Sequence, residues 1–139
     1  MPLKMNRNEL AAFMASDFPQ AADDFGIDEV SEAGIRMRLH VTDRNLRPGG
    51  TISGPTIFSL ADISIYLAVL SRIGPQALAV TTNCSIDFMR KPGAGVDLIA
   101  QARLLKLGRA LAVGDVLIYS EGDEAPVARA ALTYSIPPG

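Results

Sequence analysis

Residues 53–75 read Ser-Gly-Pro-Thr-Ile-Phe-Ser-Leu-Ala-Asp-Ile-Ser-Ile-Tyr-Leu-Ala-Val-Leu-Ser-Arg-Ile-Gly-Pro. Serine is a favoured N-cap, proline suits the first turn, and Gly74-Pro75 cannot continue a helix. The stretch predicts one helix ending near Arg72, about 27 Å long at 1.5 Å per residue. Ile57, Phe58, Leu60, Ala61, Ile63, Ile65, Leu67, Ala68, Val69 and Leu70 cover most of its circumference. A helix apolar nearly all round belongs in a core. Thr56–Ile73 also has about the length of a membrane span, but Ser59, Asp62, Ser64 and Ser71 interrupt it. An aspartate at the centre of a span costs roughly 3 kcal/mol, so the expected role is a buried helix with no membrane partner.

Strands are expected on both sides of this helix. Ile27–Glu32 and Gly34–Thr42 read as a hairpin, the second strand alternating Ile35, Met37, Leu39 and Val41 with Arg36, Arg38 and His40. After the helix, Ala79–Phe88, Val96–Leu105, Ala110–Ser120 and Val127–Ser135 read as four more strands. Short turns between them, Lys91-Pro-Gly-Ala-Gly first, predict an antiparallel meander. Asn8–Ala15 reads as a short amphipathic helix with Leu10, Phe13 and Met14 on one side, and Pro19 beyond it discourages continuation. One crossover helix among about six strands is α+β: a sheet of five to six strands wrapped around a central helix. No linker divides the chain, so one domain is expected. Residues 1–25 form an N-terminal helical segment and residues 26–136 the core.

Composition narrows the chemistry. The chain has 139 residues, 48% apolar and 20% charged, with 13 basic and 15 acidic residues giving a net charge of −2. No broad basic face is implied, so nucleic acid is not an expected partner. One cysteine, Cys84, excludes a disulfide within the chain, and one histidine, His40, excludes a zinc site of usual Cys/His composition within a subunit. No metal or cofactor is expected. The N-terminus carries no apolar run of signal-peptide length, and a lone thiol suits a reducing compartment, so a cytoplasmic protein is expected.

Asp62 is the residue that most needs a reason. A charge in an apolar core is costly unless paired, hydrated or neutralised. Thr56, Ser59, Asp62 and Tyr66 are spaced three, three and four apart and share one helix face. This stripe reads either as the lining of a ligand cleft or as a solvated edge or subunit contact. The helix start carries outward N–H groups and the positive end of the dipole, and Gly54 lets a substrate approach the backbone. Such an end stabilises an oxyanion, although Ser53-Gly54-Pro55 also reads as simple capping.

Hairpin, loop, long central helix and following strands, with Gly50-Thr-Ile-Ser-Gly-Pro-Thr-Ile-Phe-Ser-Leu-Ala-Asp62 and Ser85-Ile-Asp-Phe-Met-Arg90, resemble the hotdog-fold acyl-coenzyme A thioesterases. Within them, the segment most resembles the phenylacetate-degradation, PaaI-like branch. The resemblance covers roughly Gly26 to Ile136. It implies hydrolysis of an acyl-CoA thioester to acid and CoA, in a dimer or tetramer whose sites are shared across the dimer interface. It puts Asp62 on the catalytic carboxylate and Gly54 on the glycine whose N–H holds the thioester oxygen. Thr81, with Thr82 and Asn83, falls on the strand that the partner subunit contributes. Ser53, Ser59 and Tyr66 are expected to bind substrate, and Arg90 is a candidate for a CoA phosphate. Two departures stand out: the family histidine is Ser53 here, and the second glycine of its motif is Pro55. The family's loop asparagine falls on Arg47, with Asn45 as a replacement if the loop is longer.

Asp62 would act as general base on water or attack the carbonyl itself. Two other readings remain. One is a non-catalytic acyl-CoA-binding protein. The other is an enoyl-thioester hydratase, for which Asp43-Arg-Asn45 is an echo but Pro48 stands where histidine is required. Cys84 reads as a small core residue. The strand Ala79–Phe88 is expected to join two sheets edge to edge.

Overall fold

The computed structural model describes residues 2–138. Helix α1 (Arg7–Asp17) is opened by a capping box, Asn6 accepting from the Glu9 N–H while the Glu9 side chain accepts from the Asn6 N–H. It buries Leu10, Phe13 and Met14. Pro19 ends α1 as expected and starts a new helical turn, α2 (Pro19–Ala22). Strands β1 (Phe25–Ser31) and β2 (Gly34–Leu39) form the expected hairpin. A 3-10 turn, Asp43–Asn45, follows. Then come the central helix α3 (Gly54–Ile73) and strands β3 (Val80–Phe88), β4 (Leu98–Leu107), β5 (Leu111–Ser120) and β6 (Ala128–Ser135).

The strands make one antiparallel sheet in the order β1-β2-β4-β5-β6-β3. This corrects the four-strand meander. Of those four strands, β4, β5 and β6 are consecutive neighbours, and β3 pairs with β6. Lys91-Pro-Gly-Ala-Gly therefore begins a crossing from the sheet edge to β4 instead of turning a hairpin. The physical reason is that β3, entered directly from α3, pairs with the last strand, while β4 pairs with β2 and closes the hairpin onto the sheet.

The sheet wraps α3, which packs against all six strands. Leu60, Ala61, Ile65, Leu67, Val69 and Leu70 are wholly buried on the helix. Met37, Leu39, Leu98, Ile118 and Leu132 meet them from the sheet at 2% exposure or less. The helix is long and apolar enough to cross a membrane, yet that apolar surface is covered by the chain's own strands. Ser64 and Ser71 are buried with it and donate to the Leu60 and Ala68 carbonyls at 2.6 Å each, so neither hydroxyl is orphaned.

On the outer side, Arg38 joins three acids: Asp28, Asp97 and Glu121, the last at 2.7 Å. Burial works to raise the Asp97 carboxyl, but the Val41 N–H at 3.1 Å and Arg38 at 3.2 Å outweigh it and hold it below its usual value. A carboxylate depressed on folding contributes stability above its unfolded value, about 3.9. That stability is lost as pH falls through the lower folded value. Arg38→Met should therefore flatten the acid side of a plot of urea midpoint against pH. An unchanged acid slope would show that Arg38 does not tune Asp97.

Candidate active site

The site is built where α3, β3 and β6 meet. On β6 the inward residues Ala128, Ala130, Leu132 and Tyr134 are buried in strict alternation. Tyr134 is the one with a polar tip. Its hydroxyl donates to Asp62 Oδ1 at 2.7 Å and reaches the Asp62 carbonyl at 3.1 Å. Directly across the ladder lies Thr81, whose hydroxyl donates to the same Oδ1 at 2.5 Å. The register slips between Thr81 and Asn83, a bulge with Thr82 as the extra residue. This slip explains why Thr81, Cys84 and Ile86 can all lean toward the core although their numbers do not share one parity. The bulge thus aims Thr81 at the carboxylate.

Asp62 is half-buried and held by two hydroxyls from two strands. Burial first, then the Asp62 charge, raises the Tyr134 phenol above its usual value, so it remains a donor across the working pH range. The same two causes raise the Cys84 thiol, which argues against a thiolate nucleophile and suits a packing role.

A cavity of about 400 Å³ opens beside this carboxylate, lined by Asp62, Ile63, Tyr66, Thr81 and Tyr134 together with Phe18. Tyr66 is buried and its hydroxyl donates to the Ala77 carbonyl at 3.1 Å. A larger concavity of about 810 Å³ lies on the outer face of the sheet, where Arg103 pairs with Asp115 and Arg129 with Asp87. Those charges satisfy one another; the smaller cavity contains the oriented carboxylate, and on that chemistry it is the candidate site.

Three of the expected residues therefore converge: Asp62, Tyr66 and Thr81. Thr81, expected on the strand that a partner subunit contributes, meets the Asp62 carboxylate within its own chain. The reason is that β3 follows α3 directly and runs back along it. The other expected residues lie elsewhere on the chain. Ser53 is the N-cap: its Oγ accepts from the Thr56 N–H at 3.3 Å and lies 2.7 Å from the Thr56 hydroxyl. Ser59 is exposed and donates to the Pro55 carbonyl. Thr82 donates to the Thr133 carbonyl at 3.3 Å, and Asn83 is exposed. Arg90 donates to the Pro126 carbonyl at 2.7 Å. Asn45, the possible loop asparagine, accepts from the Thr42 N–H and hydroxyl instead.

Gly54 opens α3, away from the mid-helix residues that line the cavity. It precedes Asp62 by eight residues, about 12 Å of helix axis. A Cβ there would lie 3.4 Å from the Phe88 ring, at the far end of β3 from Thr81. Carboxylate and helix N-terminus of one chain thus face opposite ends of the same edge strand. Tyr134 was not legible as a site residue in the sequence. The available signal was a single hydroxyl on an otherwise apolar inward face.

Residues 49–127, which carry the helix, its N-terminus and β3, match the thioesterase superfamily. The chain belongs to that superfamily. A protein of Escherichia coli named acyl-coenzyme A thioesterase PaaI is 32% identical over 102 residues, 72% of this chain and 71% of that protein. The structure of E. coli PaaI superposes with a TM-score of 0.80 at 25% identity, covering 96% of this chain and 94% of that one. A candidate thioesterase from Silicibacter sp. TM1040 has 59% identity and a TM-score of 0.93 over 99% of this chain and 96% of that one. A candidate esterase of Deinococcus radiodurans is 38% identical over 92 residues, which span 66% of this chain and 60% of that protein. The superfamily member described here is thus PaaI-like, and its wrapped sheet and central helix are the hotdog fold.

Proposed function

We propose that this PaaI-like protein hydrolyses acyl-CoA thioesters at a site completed by two copies of the chain. The observation that carries the reading is Asp62, a carboxylate on the core helix oriented by two hydroxyl donors beside a cavity. Both donors converge on Oδ1, so we assign Oδ2 to the reaction. As base, Asp62 takes a proton from water while the water oxygen bonds to the thioester carbon. The tetrahedral intermediate then expels the CoA thiolate, the C–S bond breaks, and the thiolate takes a proton. As nucleophile, Asp62 would first bond to the thioester carbon and expel the CoA thiolate, which takes a proton; water then opens the resulting anhydride to the free acid and the Asp62 carboxylate. In both cases the Gly54 N–H and the α3 dipole stabilise the oxyanion.

The two-copy reading follows from the separation of Asp62 and Gly54. One carbonyl cannot touch both within one chain. Strand β3 ends the sheet, with β6 on one side and, among the described residues, no strand on the other. Val80 and Phe88 are 55% and 53% exposed on it, and Leu78 and Met89 flank it exposed. Such an edge is a template for a second chain. Antiparallel pairing of two β3 strands about Cys84 and Ser85 sets position 81 opposite position 88. The Asp62 of one copy then faces the Gly54 of the other.

The test is thiol release from a panel of acyl-CoA esters by two variants, separately and mixed after joint refolding. Asp62→Asn removes the carboxylate; Gly54→Pro removes the N–H at a helix position where proline is tolerated and adds a Cβ at contact distance from the Phe88 ring. Each alone should be inactive. In a shared site, mixed dimers regain one intact site, and about a quarter of all sites recover. No recovery would place the whole site in one chain. A wild type that binds these esters but releases no thiol would favour the non-catalytic reading.

Tyr134→Phe is expected to lower kcat about tenfold or more, the scale of one hydrogen bond to a charged group. KM should change little, since the phenol holds the base and not the substrate. A variant altered only in KM would remove Tyr134 from this role.

A further inference from the structure

The cavity beside Asp62 is not walled by the hotdog core alone. Asp17, Phe18 and Gln20, from the end of α1 and the start of α2, form one side of it. These residues lie outside the stretch that matches the superfamily. We propose that this N-terminal segment selects the substrate: Phe18 limits the length of the acyl group, and Asp17 rejects acyl groups that end in a negative charge.

The segment is fixed in place. The α1 helix is anchored by its buried Leu10, Phe13 and Met14. Phe18 is the junction between the two helices: its N–H donates to the Met14 carbonyl, and its carbonyl accepts from the Ala21 N–H. Its backbone, at φ −137° and ψ 56°, leaves both helices. The Phe18 ring meets Tyr66 edge-on, with centroids 6.1 Å apart and planes at 84°. Tyr66 stands 6.0 Å from Tyr134, the ring that holds Asp62. Three rings thus run from the carboxylate to Phe18. Tyr66 is held by the Ala77 carbonyl and backed by Phe13 at 6.4 Å. An acyl group leaving Asp62 along this wall reaches Phe18 at its end.

Asp17 supplies the charge. Ser16 Oγ donates to its Oδ1 at 2.5 Å. Asp17 is exposed and lines the rim of the cavity, and burial first, then the Asp17 charge, raises the Tyr66 phenol. Asp62 lines the same space, and no lysine or arginine does so among the described residues. An acyl chain ending in carboxylate therefore meets like charge, with no counterion among the described residues of this chain that line the cavity.

This inference rests on the thioesterase reading, and the experiment separates the two. The full-length wild type, Phe18→Ala, Phe18→Leu and Asp17→Asn are assayed on butyryl-, octanoyl-, palmitoyl- and glutaryl-CoA, with a thermal melt for each. Phe18→Ala should raise the octanoyl-to-butyryl ratio of kcat/KM about tenfold, the scale of pocket discrimination by a few carbons. Phe18→Leu keeps an apolar contact, guards against misfolding, and should move the ratio in the same direction by less. Asp17→Asn should raise the glutaryl-to-butyryl ratio about fivefold to tenfold, an effect that shrinks with added salt. Ratios unchanged within twofold in folded variants overturn the proposal. If the wild type releases no thiol from any ester, the thioesterase reading fails by itself. Calorimetric Kd ratios for the same esters then decide the selectivity, with unchanged ratios or no binding overturning it.

Discussion

Asp62→Asn is expected to leave the protein folded and to lower kcat for thioester hydrolysis by about 10²–10⁴-fold. The substitution is nearly isosteric. An asparagine Oδ1 still accepts from Thr81 and Tyr134, which donate at 2.5 and 2.7 Å. The melting temperature should therefore move little, while the group that takes a proton or attacks carbon is gone. A large thermal shift would mean that the carboxylate holds β3 and β6 to α3 chiefly for stability. Turnover at the wild-type rate would remove Asp62 from the reaction. The contrast with Tyr134→Phe is informative, because that variant keeps the carboxylate and loses only one of its two anchors. A graded series, with Tyr134→Phe intermediate and Asp62→Asn lowest, is what an oriented catalytic carboxylate produces.

Gly34→Ala is expected to be the most damaging small substitution for stability. Gly34 begins β2 with φ +150°, a region that side chains disfavour. A Cβ at this position would sit 2.2 Å from the Ala102 carbonyl oxygen, a backbone atom of β4. Backbone cannot swing aside as a side-chain tip can. Strand β2 would have to leave β4, starting from the pair Ile35 and Ala102. Overpacking and backbone strain together cost about 2–6 kcal/mol. That is a large part of the 5–15 kcal/mol typical of whole domains. The check is a denaturant midpoint, read together with a melting temperature lowered by roughly 3 °C per kcal/mol for a chain of this size. A shift below about 1 kcal/mol would show that the hairpin can rotate to make room, contrary to the geometry.

Much of the architecture was legible because period and punctuation are local. Ser53, Pro55 and Gly74 bound α3, and Ser53 and Gly74 do cap it, Gly74 at φ +91°. The period of two in Ile35, Met37 and Leu39 marks the inward face of β2, and all three are buried. Strand order was not legible in the same way. A turn such as Lys91-Pro-Gly-Ala-Gly has the residues of a hairpin, yet which strand lies beside β3 depends on every other pairing in the sheet. Pro19 signalled the end of a helix, and it equally permits the start of another, because proline lacks only an N–H that a first turn does not use.

The site divides along the same line. Asp62 was legible from sequence because a carboxylate among apolar helix residues is improbable on energetic grounds. What surrounds it was not. Thr81 comes to it through a bulge, Tyr134 through a pairing 72 residues away, and Phe18 from a segment before the core. The sequence by itself determined the buried helix, the alternating strands, the α+β class and the one carboxylate that the core cannot ignore, since each follows from local spacing and the cost of burial. Only the tertiary structure decided the strand order, the two hydroxyls on Oδ1 and the aromatic wall, because those depend on which distant backbones lie side by side, a choice made by packing of the whole chain and not by any one segment.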